Sequence, residues 1–273
     1  MHNSITLGQY YPVKSPLHSL DGRMRIFVTL IYMIMAFVCN SAASFLMLAL
    51  FSLVLIFISR VPFGVIMKSI RAILIILLIT FIMNVFFYTS DAEPLFEWWI
   101  FRLYTEGIVK AFMMAVRITA LVAVSCLMMS YTATPIDITH SIEAIFEPIK
   151  FLREPIHSFS MMMFIALRFI PTLTDDTDRI LTAQKSRGAD LSEGSLFARI
   201  RNLTAIMIPL FVSSFRRADE LAIAMECRCY HGGEGRTRMR TLHYRASDFV
   251  ILALFVVYAA AVVWLNSIKI FGY

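Results

Sequence analysis

Two arginines close matching stretches of this chain: Asp178-x-Ile180-x-x-Ala183-x-x-x-Arg187 and, 41 residues on, Asp219-x-Leu221-x-x-Ala224-x-x-x-Arg228. A planar guanidinium pairs bidentately with carboxylates, so an arginine at a helix tip suits an acidic groove on a partner. A single such residue could equally be a cation set against the helix C-terminal dipole, an effect of about 0.3–1 kcal/mol. Two copies in one register argue instead for a partner with two similar sockets. Three other groups have chemical potential. Asp175, Asp176 and Asp178 could hold Mg²⁺ and a diphosphate, as in membrane prenyltransferases, but the second Asp-rich motif that chemistry needs is missing. Cys227, Cys229 and His231 are tightly spaced and lack a fourth ligand nearby, which is weak ground for zinc. No Gly-x-x-x-x-Gly-Lys-[Ser/Thr] loop occurs, so ATP binding of that kind is not expected of this chain. Neither catalysis, a cofactor nor a resident metal is expected.

The elements that must carry these arginines are apolar. Of 273 residues, 59% are hydrophobic and 16% charged, against roughly 25% charged in a soluble domain. The expected fold class is all-α, a polytopic integral membrane protein. Apolar runs place spans at about 22–39, 44–59, 72–88 and 107–130, forming an N-terminal membrane region over 1–130, and a last span within 248–273. Arg23 and Arg25 before the first run weakly mimic a signal peptide, but the apolar character resumes at Phe45, and cleavage is not expected. Lys14, Arg23, Arg25, Arg60, Lys68 and Arg71 flank the odd-numbered crossings, whereas Asp91, Glu93, Glu97 and Glu106 precede span four. The positive-inside rule then puts the N-terminus in the cytoplasm and the C-terminus outside, with Trp98 and Trp99 at the outer headgroup level. The net charge of +6 reads as this cytoplasmic excess; no basic run interleaved with aromatics suggests nucleic acid. Cys39 and Cys126 fall in spans and Cys227 and Cys229 in a segment expected to be cytoplasmic, so no disulfide is expected.

Residues 131–247 hold 15 of the 25 basic and 13 of the 19 acidic residues, yet remain rich in Met, Phe, Ile and Leu. Such a segment suits amphipathic helices along the cytoplasmic interface. Helices are expected at about 135–151, 156–187 and 196–228, with kinks at Pro171 and Pro209, a stop at Gly188 and a turn at Ser192-Glu193-Gly194-Ser195. The two long ones, roughly 50 Å each if continuous, would form a hairpin. Arg117, near mid-bilayer, is expected to anchor structure through backbone carbonyls or Asn84, with a place on a transport pathway as the other possibility. Arg168 could satisfy carbonyls freed by Pro171. The Met161-Met162-Met163 run reads as packing, or as an adaptable docking face.

Taken in order, Leu7-Gly8-Gln9-Tyr10, Ser15-Pro16-Leu17-His18-Ser19-Leu20-Asp21-Gly22-Arg23, Thr132-Ala133-Thr134-Pro135 through Glu147-Pro148, Ala166-Leu167-Arg168-Phe169-Ile170-Pro171, Ala183-Gln184-Lys185-Ser186-Arg187-Gly188 and Ala224-Met225-Glu226-Cys227-Arg228-Cys229-Tyr230 resemble the transmembrane T component of energy-coupling factor (ECF) transporters, ABC-class importers of vitamins and metals. The resemblance runs over most of the chain. It implies that two short motifs, usually Ala-Arg-Gly, each dock an arginine in a groove on one of two ABC ATPase subunits. Here they are Ser186-Arg187-Gly188 and Cys227-Arg228-Cys229; both replace Ala, and the second also replaces Gly. It further implies a membrane-embedded S component that carries the substrate. The implied function is coupling of ATP hydrolysis by the partners to micronutrient uptake at the plasma membrane. The rivals from other classes are a prenyltransferase-type enzyme using the Asp175, Asp176, Asp178 cluster and a stand-alone secondary transporter. The latter commonly repeats whole spanning bundles, whereas this chain repeats only two stalks.

Overall fold

The computed structural model describes residues 10–13, 15–87, 96–98, 101–188, 196–230, 232 and 243–267. Leu7 to Gln9, Lys14, Asp91, Glu93, Trp99, the turn at 192–195 and His231 lie outside them. Helices dominate: α1 Gly22–Val38, α2 Ala42–Ser59, α3 Phe63–Phe87, α4 Thr105–Ser125 prolonged by a π-helical turn Cys126–Tyr131, α5 Pro135–Phe146, α6 Lys150–Ser186, α7 Leu196–Cys227 and α8 Ala246–Ser267. Among the described residues, the addition to the all-α expectation is a short antiparallel pair before α4, β1 Phe96–Trp98 and β2 Phe101–Leu103, in register Phe96 to Leu103.

Among the described residues, five helices are long and apolar enough to cross a membrane: α2, α3, α4 with its π turn, α6 over Phe151–Ser186, and α8. The sequence reading has α1 in that set and α6 along the interface. α1 has only 17 residues, about 26 Å, just short of the roughly 30 Å hydrocarbon core. α6 has the lowest mean hydropathy of the five, 1.4 against 2.1–2.6 for the others, and its last third carries Asp175, Asp176, Asp178, Arg179 and Lys185. Other ends also differ from the apolar runs. α3 begins nine residues before Ala72 because Lys68 and Arg71 are tolerated on a helix near its end. α5 stops at Phe146, just before Glu147-Pro148, since a residue preceding proline is pushed out of the helical region. α6 then restarts at Lys150 and runs through Pro155 and Pro171.

The chain divides into two compact units, one comprising residues 1–142 and 241–273, the other 143–240. In the first, α1 turns one face inward, with Val28, Tyr32 and Ala36 wholly enclosed, while Phe27, Leu30, Ile34 and Phe37 on its other side stay exposed. Tyr32 donates to or accepts from Ser52 on α2 at 2.7 Å, and Phe51 stacks on Tyr258 of α8 with ring centroids 4.1 Å apart. Aromatic stacking and hydroxyl bonds of this kind hold helices together where lipid removes the hydrophobic drive. The start of α1 is fixed by polar groups: Asp21 caps the Arg23 amide at 3.0 Å, and the buried Asp248 of α8 accepts the Asp21 amide at 3.3 Å. Arg25 donates to the carbonyls of Leu17, His18 and Leu20. Beside it the His18 ring bridges Ser15 Oγ at 2.7 Å and the Tyr11 carbonyl at 3.0 Å, and burial pushes its pKa below the usual histidine value.

Candidate functional site

Helix termination puts both arginines in one setting. In α6, Arg187 is the C-cap; Gly188 follows at φ 86° and its N–H donates to the Lys185 carbonyl at 3.0 Å. α7 ends the same way. Arg228 is the cap, Cys229 follows at φ 58°, its N–H donates to the Glu226 carbonyl at 2.9 Å, and the Tyr230 N–H reaches back to the Met225 carbonyl at 3.0 Å. The last two bonds are the paired 5→2 and 6→1 bonds of a Schellman stop, which consume carbonyls a helix end leaves open. Left-handed backbone is easy for glycine and costs another L-residue about 1–2 kcal/mol; the second copy tolerates Cys229 there and still reproduces the cap. Ser186, Arg187, Gly188, Cys227, Arg228 and Cys229 are all exposed. Two solvated guanidiniums, each at the final turn of a long helix, are thus open to an acidic surface.

The stalks beneath them are tied side by side. Arg217 of α7 forms a partly buried ion pair with Asp176 of α6. Eight residues further along α6, Gln184 Nε2 donates to the Ala205 carbonyl of α7 at 3.3 Å. That carbonyl is available because Pro209, four residues on, has no N–H to give it. Pro209 therefore serves the pairing of the stalks through Gln184, and α7 is continuous through it.

The acidic cluster lies within α6, with Asp175 and Asp178 exposed and Asp176 engaged by Arg217. Among the described residues no three His, Cys, Asp or Glu side chains gather as a metal site. Arg117 reaches from α4 to the Cys39 carbonyl at the end of α1, and its guanidinium stands 4.9 Å from the centre of the Phe45 ring. Asn266 of α8 takes the neighbouring Val38 carbonyl at 2.6 Å. Together they seal the open end of a short helix, where an unsatisfied carbonyl would be costly in lipid. Asn84 bonds the Thr80 carbonyl of its own helix. Arg168 is exposed on α6, three residues before Pro171. Arg217 and Gln184 escaped the sequence reading as site residues; Pro209 signalled a carbonyl in want of a donor, but not that Gln184 would supply it.

Comparison with known proteins bears on the same segments. The family described as Cobalt transport protein, CbiQ, matches residues 13–239, a stretch containing both arginine caps. A relative in Acidaminococcus fermentans, an energy-coupling factor transporter transmembrane protein EcfT, is 48% identical over 263 residues, covering 95% of this chain and 97% of its own. This chain belongs to the CbiQ/EcfT family. The EcfT of Clostridium kluyveri is similar to it at 45% identity over 250 residues, 92% of each chain, and that of Bacillus subtilis at 36% over 267 residues, 98% of this chain and all of the relative. As an EcfT-type protein it is the multi-pass transmembrane component of an energy-coupling factor transporter.

Proposed function

We propose that this chain couples ATP hydrolysis by two ABC ATPase subunits to vitamin or micronutrient uptake through a membrane-embedded S component, and is itself non-catalytic. Arg187 and Arg228 dock one ATPase each, with Ser186, Gly188, Cys227 and Cys229 shaping the two tips. The observation that carries this is the repetition of one exposed C-cap, arginine included, at the ends of α6 and α7. In this reading α1, α2, α3, α4 and α8 cross the bilayer, the N-terminus and residues 131–247 face the cytoplasm, the C-terminus lies outside, and the apolar faces of α6 and α7 meet lipid or the S component. Exposed Phe197, Ile200, Phe211 and Phe215 on α7 supply such a face. Arg117 and Asn266 act as helix caps in it, off any substrate route.

The test is Arg187→Ala with Arg228→Ala. The variant is expected to reach the membrane, to lose co-purifying ATPases, and to abolish ATP-dependent uptake; each single change is expected to give partial loss. Normal transport by the double variant would remove the docking role.

A further inference from the structure

The ion pair that joins α6 to α7 links residues 41 positions apart, Asp176 and Arg217. That is the offset of the repeat itself, which carries Asp178 onto Asp219 and Arg187 onto Arg228. When two like elements pack antiparallel, contact between equivalent positions occurs only where a local two-fold axis passes. Asp176 and Arg217 therefore mark that axis, and the two arginine caps lie eleven residues beyond it on either arm (187 − 176 and 228 − 217). At 1.5 Å per residue each arm reaches about 16 Å. Neither arm contains a proline, because Pro171 and Pro209 both precede the crossing.

The charges around the crossing are inverted between the copies. Asp175 and Asp176 correspond to Arg216 and Arg217, Arg179 to Glu220, and Lys185 to Glu226, whereas Asp178 with Asp219 and Arg187 with Arg228 keep their sign. An unmodified repeat would set like charge against like on its own axis. Inversion turns that repulsion into attraction between α6 and α7, and disfavours either helix pairing with its own twin from another molecule. The tips carry no such inversion, as befits two sockets of one kind.

We propose that Asp176 and Arg217 are a positioning pair: they fix the crossing of α6 and α7 on a local two-fold axis, so that a two-fold partner meets both arginine caps at equal reach with its own dyad over the ion pair. The point on the axis stays still while the equal arms turn about it, and motion imposed on one tip is matched at the other. This rests on the docking reading above, with Asp176 and Arg217 acting through the tips and touching no partner themselves.

The experiment compares Asp176→Ala, Arg217→Ala and the swap Asp176→Arg with Arg217→Asp in the whole transporter, reading ATPase co-purification and vitamin uptake per ATP hydrolysed. Each single change is expected to retain the ATPases, because the tips are intact, and to lower uptake per ATP at least fivefold; the swap is expected to recover half or more of it. A merely structural pair would alter assembly or melting temperature and leave that ratio alone. Unchanged uptake per ATP in the single variants overturns the proposal, as does a swap that reaches the membrane with bound ATPases and remains uncoupled. If a single variant fails to accumulate, the swap decides: restored accumulation with full coupling supports the pair, and failure to accumulate counts against charge complementarity at the crossing. Retention of ATPases by the Arg187→Ala, Arg228→Ala variant would instead refute the docking reading, a different result from any of these.

Discussion

At the scale of single residues, the second arginine cap is built at a cost that the first avoids. Cys229 holds a left-handed backbone that glycine holds freely, and Gly188 occupies the same place after Arg187. Cys229→Gly is therefore expected to stabilise the end of α7 by about 1 kcal/mol, the left-handed penalty less the extra chain entropy of glycine. Thermal unfolding of the purified protein would measure it, and a clear loss of stability would contradict the assignment of Cys229 to the position after the cap. The departure from an Ala-Arg-Gly pattern was plain in the sequence. That the residue after the second arginine nevertheless makes the same bond as Gly188, back to the carbonyl three residues before it, was not, because it depends on backbone angles that a cysteine only occasionally adopts.

Between elements, one close approach fixes the start of α1 against the middle of α5. A Cβ on Gly22 would stand 1.9 Å from Ser141 Oγ and 3.1 Å from Ser141 Cβ. Ser141 is buried and its hydroxyl donates to the Asp137 carbonyl at 2.6 Å, so rotation away from the intruder sacrifices that bond. Gly22→Ala is expected to lower stability by about 1–3 kcal/mol, the usual range for overpacking. Ser141→Ala in the same chain is expected to restore part of it by removing the oxygen; no recovery in a melting experiment would place the cost elsewhere. Helix existence was legible from the apolar runs and their periodicity. Helix ends were less so: α6 absorbs Lys150 to Pro155 and α3 absorbs Phe63 to Arg71 because neighbouring turns and snorkelling side chains, which a window of hydropathy does not see, decide where a helix begins.

For the molecule as a whole, the proposed orientation places the exposed thiols of Cys227 and Cys229 in the cytoplasm, while Cys39 is buried. A membrane-impermeant maleimide is expected to label this protein in inside-out vesicles and not in intact cells, and bound ATPases are expected to reduce that labelling. Labelling in intact cells would invert the topology and separate the arginine caps from any cytoplasmic partner. The result also bears on α6, whose length and composition qualify it to cross: one additional crossing between α4 and α7 would move Arg228 and both thiols to the other side.

The sequence by itself determined the membrane class, the run of apolar helices and the duplicated arginine motif, because bilayer burial and helix periodicity write directly into composition and spacing. Only the tertiary structure decided which groups meet: Arg117 with the end of α1, Gln184 with the carbonyl that Pro209 frees, Asp176 with Arg217. Those contacts join residues 78, 21 and 41 positions apart, and their pairing is set by how helices cross, a geometry that no local pattern of side chains specifies.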